Sequence, residues 1–169
     1  EIALSAGAHL NPAAIGFLAG LGVNTVQVWS KPKVCLIITG KELAPPGAVL
    51  KPGQVYESNS FALIAALQEL NIHPTLVFRS DDDESLVKKS MDNCQVETVF
   101  YKVKQKPGKP LFFGKHQQKL LFGLPGNPSA VLTCFYDYIA PILKKMKGRI
   151  GSTQREAKKT LTEAVSKRP

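Results

Sequence analysis

The residues of this chain best suited to chemistry lie in a few short loops. Lys106 and Lys109 flank Pro107-Gly108 in a KPGKP run. Prolines and a glycine restrict the backbone there, so both ammonium groups can converge on one phosphate-like anion, a task suited to the flexible point charge of lysine. The same run would also serve as a solvated basic turn. Residues 119–130 read KLLFGLPGNPSA, a short apolar strand closed by a Pro125-Gly126-Asn127-Pro128 turn, and VLTCFYDYIAPILKKM follows with helical spacing. Asn127 is the expected N-cap and Pro128 the first helical residue. Unpaired N–H groups and the positive end of a helix dipole attract anions at such a place, which is equally the form of an ordinary strand-to-helix turn. Asp81 and Asp82 stand between a predicted strand and a predicted helix. Carboxylates there suit a hard cation such as Mg2+, or simply complement the helix dipole. Thr39-Gly40 ends an apolar run, where glycine lets a ligand approach the backbone.

The elements that must position these loops can be read in order. Asn11 caps a helix over AAIGFLAGLG, and Val23 to Trp29 is expected to be a short strand. VCLIIT, from Val34 to Thr39, is nearly all apolar and reads as a central parallel strand covered on both faces. The stretch holding Pro45, Pro46, Gly47, Pro52 and Gly53 is expected to carry no packed element. Ser58 or Asn59 would cap the next helix, with Phe61, Ile64, Leu67 and Leu70 as its apolar face. Pro74–Phe78 is the next strand, Glu84–Met91 a helix and Thr98–Val103 a strand. Leu111–Gly114 and Lys119–Leu124 form a hairpin turning at residues 116–118. The last helix is expected to run from Asn127 to near Gly148. This alternation predicts an α/β class, a three-layer α/β/α arrangement with a mostly parallel sheet, whose functional groups cluster beyond the strand C-termini. The division expected is a lead-in helix and strand (1–32), a ligand-binding domain (33–148) and a Lys-rich linker (149–169).

Composition narrows the partners. The 169 residues carry 22 basic and 13 acidic side chains, a net charge of +9, and 44% of them are hydrophobic, enough for a core. The few aromatics sit inside apolar runs and no nucleic-acid signature appears, so a phosphorylated small molecule is the favoured partner over nucleic acid, beside a merely solvated basic surface. No apolar run approaches the roughly 18 residues of a transmembrane helix, and no secretory signal pattern is present; neither a membrane partner nor export is expected. Cys35, Cys94 and Cys134 form neither a disulfide framework nor a metal pair, which suits a reducing, cytoplasmic setting.

Taken together, ITGKEL (38–43), PGAVLKPGQVYESN (46–59), DDDESL (81–86), KPGKP (106–110) and FGLPGNPS (122–129) resemble, in this order, the motifs of the molybdopterin molybdotransferase family, the MoeA-like proteins that include the E domain of gephyrin. AGAHLNPAAIGFLAGLG (6–22) and KPKV (31–34) also resemble the lead-in to that family's molybdopterin-binding domain, and the likeness covers about residues 1–148. The resemblance implies a molybdopterin-binding, MogA-like fold. It implies an enzyme of molybdenum cofactor biosynthesis that uses Mg2+ to remove AMP from adenylylated molybdopterin and insert molybdate. It further implies a cytoplasmic homodimer, a molybdopterin adenylyltransferase as upstream partner, and additional domains that complete the cleft. Lys106, Lys109 and Asp82 would be catalytic, Asp81 and Asp82 would hold metal, and Thr39, Gly40, Ser58, Asn59, Pro125, Gly126, Asn127 and Ser129 would contact the pterin substrate. Tyr56, Ser58 and Asn59 would equally serve as a packed tyrosine and a helix cap.

Three departures accompany the likeness. Lys41 stands where the family has Asp. Ser129-Ala130 stands where many members have Val-Ser. The family also carries a strand, a Ser-Gly-Gly loop and a helix where Met91–Cys94 here passes straight to Gln95, so Cys94 and Gln95 are expected not to be bonded neighbours in the native fold. A molybdopterin adenylyltransferase of the same fold, and a non-catalytic pterin-binding or scaffolding module, are the competing readings; Lys41 supports the second.

Overall fold

The protein was analysed as a computed structural model that describes residues 2–80 and 84–148. Asp81, Asp82 and the linker expected at 149–169 lie outside the described residues. In chain order the elements are α1 (Pro12–Gly20), β1 (Cys35–Thr39), β2 (Leu43–Ala44), β3 (Val55–Tyr56), α2 (Asn59–Glu69), β4 (Leu76–Ser80), α3 (Glu84–Asn93), β5 (Glu97–Tyr101), β6 (Phe112–His116), β7 (Lys119–Gly123), α4 (Pro128–Cys134), a π turn (Phe135–Ile139) and α5 (Ala140–Met146).

The α/β class is present, with its parallel pairing in two places. β1 and β4 pair in parallel from Cys35↔Leu76 to Thr39↔Ser80, and β2 pairs in parallel with β3. The second pair flanks the Pro/Gly stretch, whose residues 45–54 carry no helix or strand, as expected. Val55 N–H donates to Glu42 O and Glu57 N–H to Ala44 O, so the loop closes on itself and buries Ala44. β5, β6 and β7 form an antiparallel meander. Thr98–Val103 is therefore an antiparallel strand, shifted to begin at Glu97, because its partner is the hairpin strand beside it. The hairpin turns at Gln117-Gln118 between the paired His116 and Lys119, with Gln117 at φ 53.

The core lies between α2 and the last helix. Leu63, Ala66, Leu67, Ile72, Val131, Phe135, Ala140 and Leu143 form one buried cluster, with Val34 and Leu36 of the β1 side packed against it. α2 is rotated from the expected face: Ser60, Leu63, Ala66 and Leu67 point inward, while Phe61 is 54% exposed. β1 is covered on one face only. Ile37 and its register partner Phe78 are 65% and 54% exposed on the other, where no described element packs over them. Val23–Trp29 joins no strand ladder, and α1 contributes no buried residue. The Trp29 ring instead rests against Gly148 beyond α5.

The helix ends follow local chemistry. Asn11 caps α1 as predicted, accepting from Ala14 N–H at 2.8 Å. α2 is capped neither by Ser58 nor by Asn59. Glu57 accepts from Ser60 N–H at 2.7 Å and from Ser60 Oγ. At the end of α3, Cys94, Gln95 and Val96 N–H donate to Ser90, Asp92 and Met91 carbonyls, with Gln95 at φ 54, which is a left-handed helix exit.

Two expected outcomes follow. Leu67 is 1% exposed at the centre of the α2–α4 contact. Leu67→Ala should cost about 2–5 kcal/mol in a urea unfolding experiment, the range for emptying a packed leucine site. Asn127→Ala should cost about 1 kcal/mol by the same measurement, because it strands the first N–H groups of α4.

Candidate functional site

The motif loops meet along one end of the domain, joined in a chain of specific contacts. Thr39 ends β1 opposite Ser80, and Gly40 N–H donates to Ser80 O at 3.3 Å. Gly40 has φ 146, and a Cβ there would sit 3.0 Å from the Leu43 side chain. Next to Ser80, Arg79 reaches from β4 to Glu57, with Nη2 3.5 Å from Oε2. Glu57 is 2% exposed, so the carboxyl group between β3 and α2 is shielded from water and held by Ser60 and Arg79. Buried carboxyl groups of this kind are costly unless paired. Glu57 is the residue that sequence reasoning passed over. Its signal was present, an acidic side chain immediately before the Ser58-Asn59 helix start.

From α2 the chain of contacts crosses to the LPGNPS turn. Asn59 Nδ2 donates to Gly126 O at 2.9 Å. Asn59 Oδ1 is buried and has no hydrogen-bond partner. An acceptor left unpaired in this way costs free energy. Pro125 is buried behind the turn, and Asn127 and Ser129 are exposed. Asn127 caps α4 as expected, accepting from Ser129 N–H at 3.0 Å, Ala130 N–H at 3.5 Å and Ser129 Oγ at 2.8 Å. The cap therefore engages two N–H groups that sequence reasoning had left free for an anion. Tyr56 Oη donates to Ala48 O at 2.9 Å and bridges the Pro/Gly loop, while Ser58 makes no side-chain cap.

The lysine loop packs on the side of the same helix. Val103 N–H donates to Lys109 O and Lys102 N–H to Leu111 O, closing residues 104–108 into a tight bend. Gly108 is buried, with its carbonyl 3.9 Å from Cys134 Sγ, and Tyr138 Oη donates to Gln105 Oε1 at 2.6 Å. Burial pushes the Cys134 thiol above its ordinary pKa, and the charge of Asp137 adds to the shift, so this sulfur is a packing group rather than a nucleophile. Lys106 and Lys109 are exposed and form no hydrogen bond or ion pair among the described residues. Lys41 is exposed after Gly40.

Thr39, Gly40, Asn59 and Gly126 are thus joined edge to edge. Lys106 and Lys109 are tied to the same helix further along, through Gly108 and Gln105. The two best-formed surface hollows lie elsewhere, beside Glu69–Asn71 and inside the bend that follows α1. Among the described residues no group of three His, Cys, Asp or Glu side chains could hold a metal. Asp81 and Asp82, the predicted ligands, lie outside them. No described helix is long and apolar enough to cross a membrane.

Comparison with known proteins agrees with this arrangement. A family profile described as "Probable molybdopterin binding domain" matches residues 87–145. A molybdopterin molybdenumtransferase of Haemophilus influenzae is 30% identical over 176 aligned positions, which take in 88% of this chain and 44% of the relative. A protein of the same name from Staphylococcus aureus is 29% identical, covering 99% of this chain and 46% of the relative. The alignments hold more positions than this chain supplies, so the relatives carry residues with no counterpart here. The crystal structure of a molybdopterin biosynthesis MoeA protein from Pyrococcus horikosii superposes with a TM-score of 0.71 at 34% identity, over 88% of this chain and 44% of that one. The chain spans less than half the length of the relatives it matches. It belongs to the MoeA-like molybdopterin molybdenumtransferase family and corresponds to a part of it that includes the molybdopterin-binding domain.

Proposed function

We propose that the protein carrying this chain inserts molybdate into adenylylated molybdopterin and releases AMP, with Mg2+ as its metal. The observation that supports the reading is the linkage of Gly40 to Ser80, Arg79 to Glu57 and Asn59 to Gly126, with the lysine loop packed further along α4 through Gly108 and Cys134. A phosphorylated pterin suits this arrangement. Its phosphates suit the exposed Lys106 and Lys109. Thr39, Gly40, Ser58, Pro125, Gly126, Asn127 and Ser129 border the same end and complete the proposed contacts.

In this reading a water oxygen bonds to phosphorus as the phosphoanhydride between the pterin phosphate and AMP breaks, giving AMP and the free pterin phosphate, and the proton passes to solvent. Lys106 and Lys109 keep their ammonium charges and stabilise the negative charge that develops on the departing phosphate oxygens. Glu57 and Arg79 touch no substrate and position α2 against β4. Asp81 and Asp82 would hold Mg2+, which supplies charge neutralisation at the phosphates. The cytoplasmic homodimer and the upstream adenylyltransferase partner belong to the same proposal, with the one-sided cover of β1 and β4 as support for the former. The division at residues 32 and 148 is retained as our reading of the domain limits.

Incubating the intact protein with adenylylated molybdopterin, Mg2+ and molybdate should release AMP; no release would sink the reading. Lys109→Ala should weaken binding of the phosphorylated pterin by roughly 10-fold or more, since a charge-assisted hydrogen bond contributes about 1.5–3 kcal/mol. Unchanged binding in that variant would remove the lysine loop from the site. The exposed Lys41 favours a second reading, a binding module with weakened chemistry. Thr39 and Ser80 are register partners, and they precede Gly40-Lys41 and Asp81 in the sequence. An ammonium near the aspartates would compete with Mg2+ for them. Lys41→Asp should then lower the Mg2+ concentration needed for half-maximal AMP release, and an unaltered Mg2+ dependence would make Lys41 a bystander.

A further inference from the structure

The last helix keeps Val131, Phe135, Ala140 and Leu143 in the core cluster, with Ile139 packed against it. Between Phe135 and Ala140 it makes a π turn, where Ala140 N–H donates to the Phe135 carbonyl five residues back. The extra residue lets the helix keep Phe135 and Ala140 in the core while Tyr138 leaves it. Pro141 follows at once and has no N–H to offer the Asp137 carbonyl, which removes one bond that would favour a regular turn here. Single π turns of this kind are frequent at functional sites.

Tyr138 then turns to the lysine loop. Its hydroxyl donates to Gln105 Oε1 at 2.6 Å, in a half-buried setting one residue before Lys106. The Gln105 amide in turn lies over Gly108. A Cβ built on Gly108 would meet Cys134 Sγ at 2.8 Å on one side and Gln105 Nε2 at 3.3 Å on the other. Gly108 also has φ 108, a conformation that L side chains rarely adopt. The loop backbone is therefore clamped between a thiol and an amide, both set by the helix, while the two lysine side chains that leave it remain exposed.

We propose that the π turn is the positioning element of the lysine loop, and that Tyr138 and Gln105 are positioning residues that set where Lys106 and Lys109 meet an oxyanion. The inference rests on the reading of that loop as an oxyanion site. It adds to that reading the part of the structure that orients the lysines. A loop held at both Gln105 and Gly108 presents its ammoniums with little entropy left to lose on binding, and releasing one hold returns that cost.

The test measures binding of inorganic phosphate to the intact protein, beside its thermal unfolding. Tyr138→Phe keeps the ring in place and removes only the donor. It should weaken phosphate binding about 3- to 10-fold, the range expected for one neutral hydrogen bond. Gln105→Leu should do the same from the loop side, leaving the helix untouched. The double variant should bind no worse than the weaker single, because both remove one contact. A fall in unfolding temperature with unaltered phosphate affinity in both single variants would overturn the proposal, since a merely structural role predicts that pattern. Additive losses in the double variant would also overturn it. Lys109→Ala separates the two levels of inference. If it weakens phosphate binding while Tyr138→Phe and Gln105→Leu do not, the oxyanion site stands and the positioning role fails. If Lys109→Ala also leaves binding unchanged, the oxyanion reading has failed and the positioning role falls with it.

Discussion

A carboxyl group that is 2% exposed has to be satisfied from within the protein, and the way Glu57 is satisfied ties three elements together. Its own backbone N–H donates to Ala44 O, extending the β2–β3 pair. Its side chain accepts from Ser60 N–H and Oγ and so starts α2. Arg79 brings the end of β4 to the same oxygen. Truncating such a group would leave buried donors without a partner, which is more expensive than losing the contact itself. The start of α2 is consequently held in place relative to β4, and Asn59, two residues on, is placed to bond Gly126 across the domain.

The apolar packing behind this polar line is compact but narrow. One cluster between α2 and the last helix supplies most of the buried side chains, with Leu67, Val131 and Phe135 at its centre. That cluster fixes the height of the helix on which the LPGNPS turn and the lysine loop both depend. Tyr136 adds a peripheral tie from the π turn to α2 through Glu69, at 2.8 Å. On the other side of β1 and β4, Ile37, Leu76 and Phe78 remain open. The domain is thus well ordered where its motif loops converge and incompletely covered on the opposite face of the same strands.

Much of the local structure could be read residue by residue. Asn11 and Asn127 act as caps because each side chain has an oxygen at the reach of the N–H groups two or three residues ahead. The hairpin at 112–123 and the parallel pairing of the VCLIIT strand follow from alternation and from continuous apolar character. The motif order alone was enough to suggest the family. The misses have equally definite causes. Of the expected α2 face, Leu67 lies in the core and Leu70 packs against it, but Leu63 takes the place given to Phe61, and an exposed phenylalanine carries no signal in sequence that distinguishes it from a buried one. The two-residue strands on either side of the Pro/Gly loop were missed because they are too short for periodicity to show.

What the sequence determined by itself was the set of capable groups and their local geometry. Lysines stand either side of Pro-Gly, an asparagine opens a helix, and a glycine ends a strand, since each depends on contacts within a few residues. Only the tertiary structure decided which of these meet. Asn59 with Gly126 and Gln105 with Tyr138 are separated by 67 and 33 residues, and neither pairing leaves a periodicity or motif that could be read in advance. The π turn belongs to the same category. The bond from Ala140 N–H to the Phe135 carbonyl shows in no spacing of the sequence, since Val131, Phe135, Ile139 and Leu143 recur every four residues as in a regular helix.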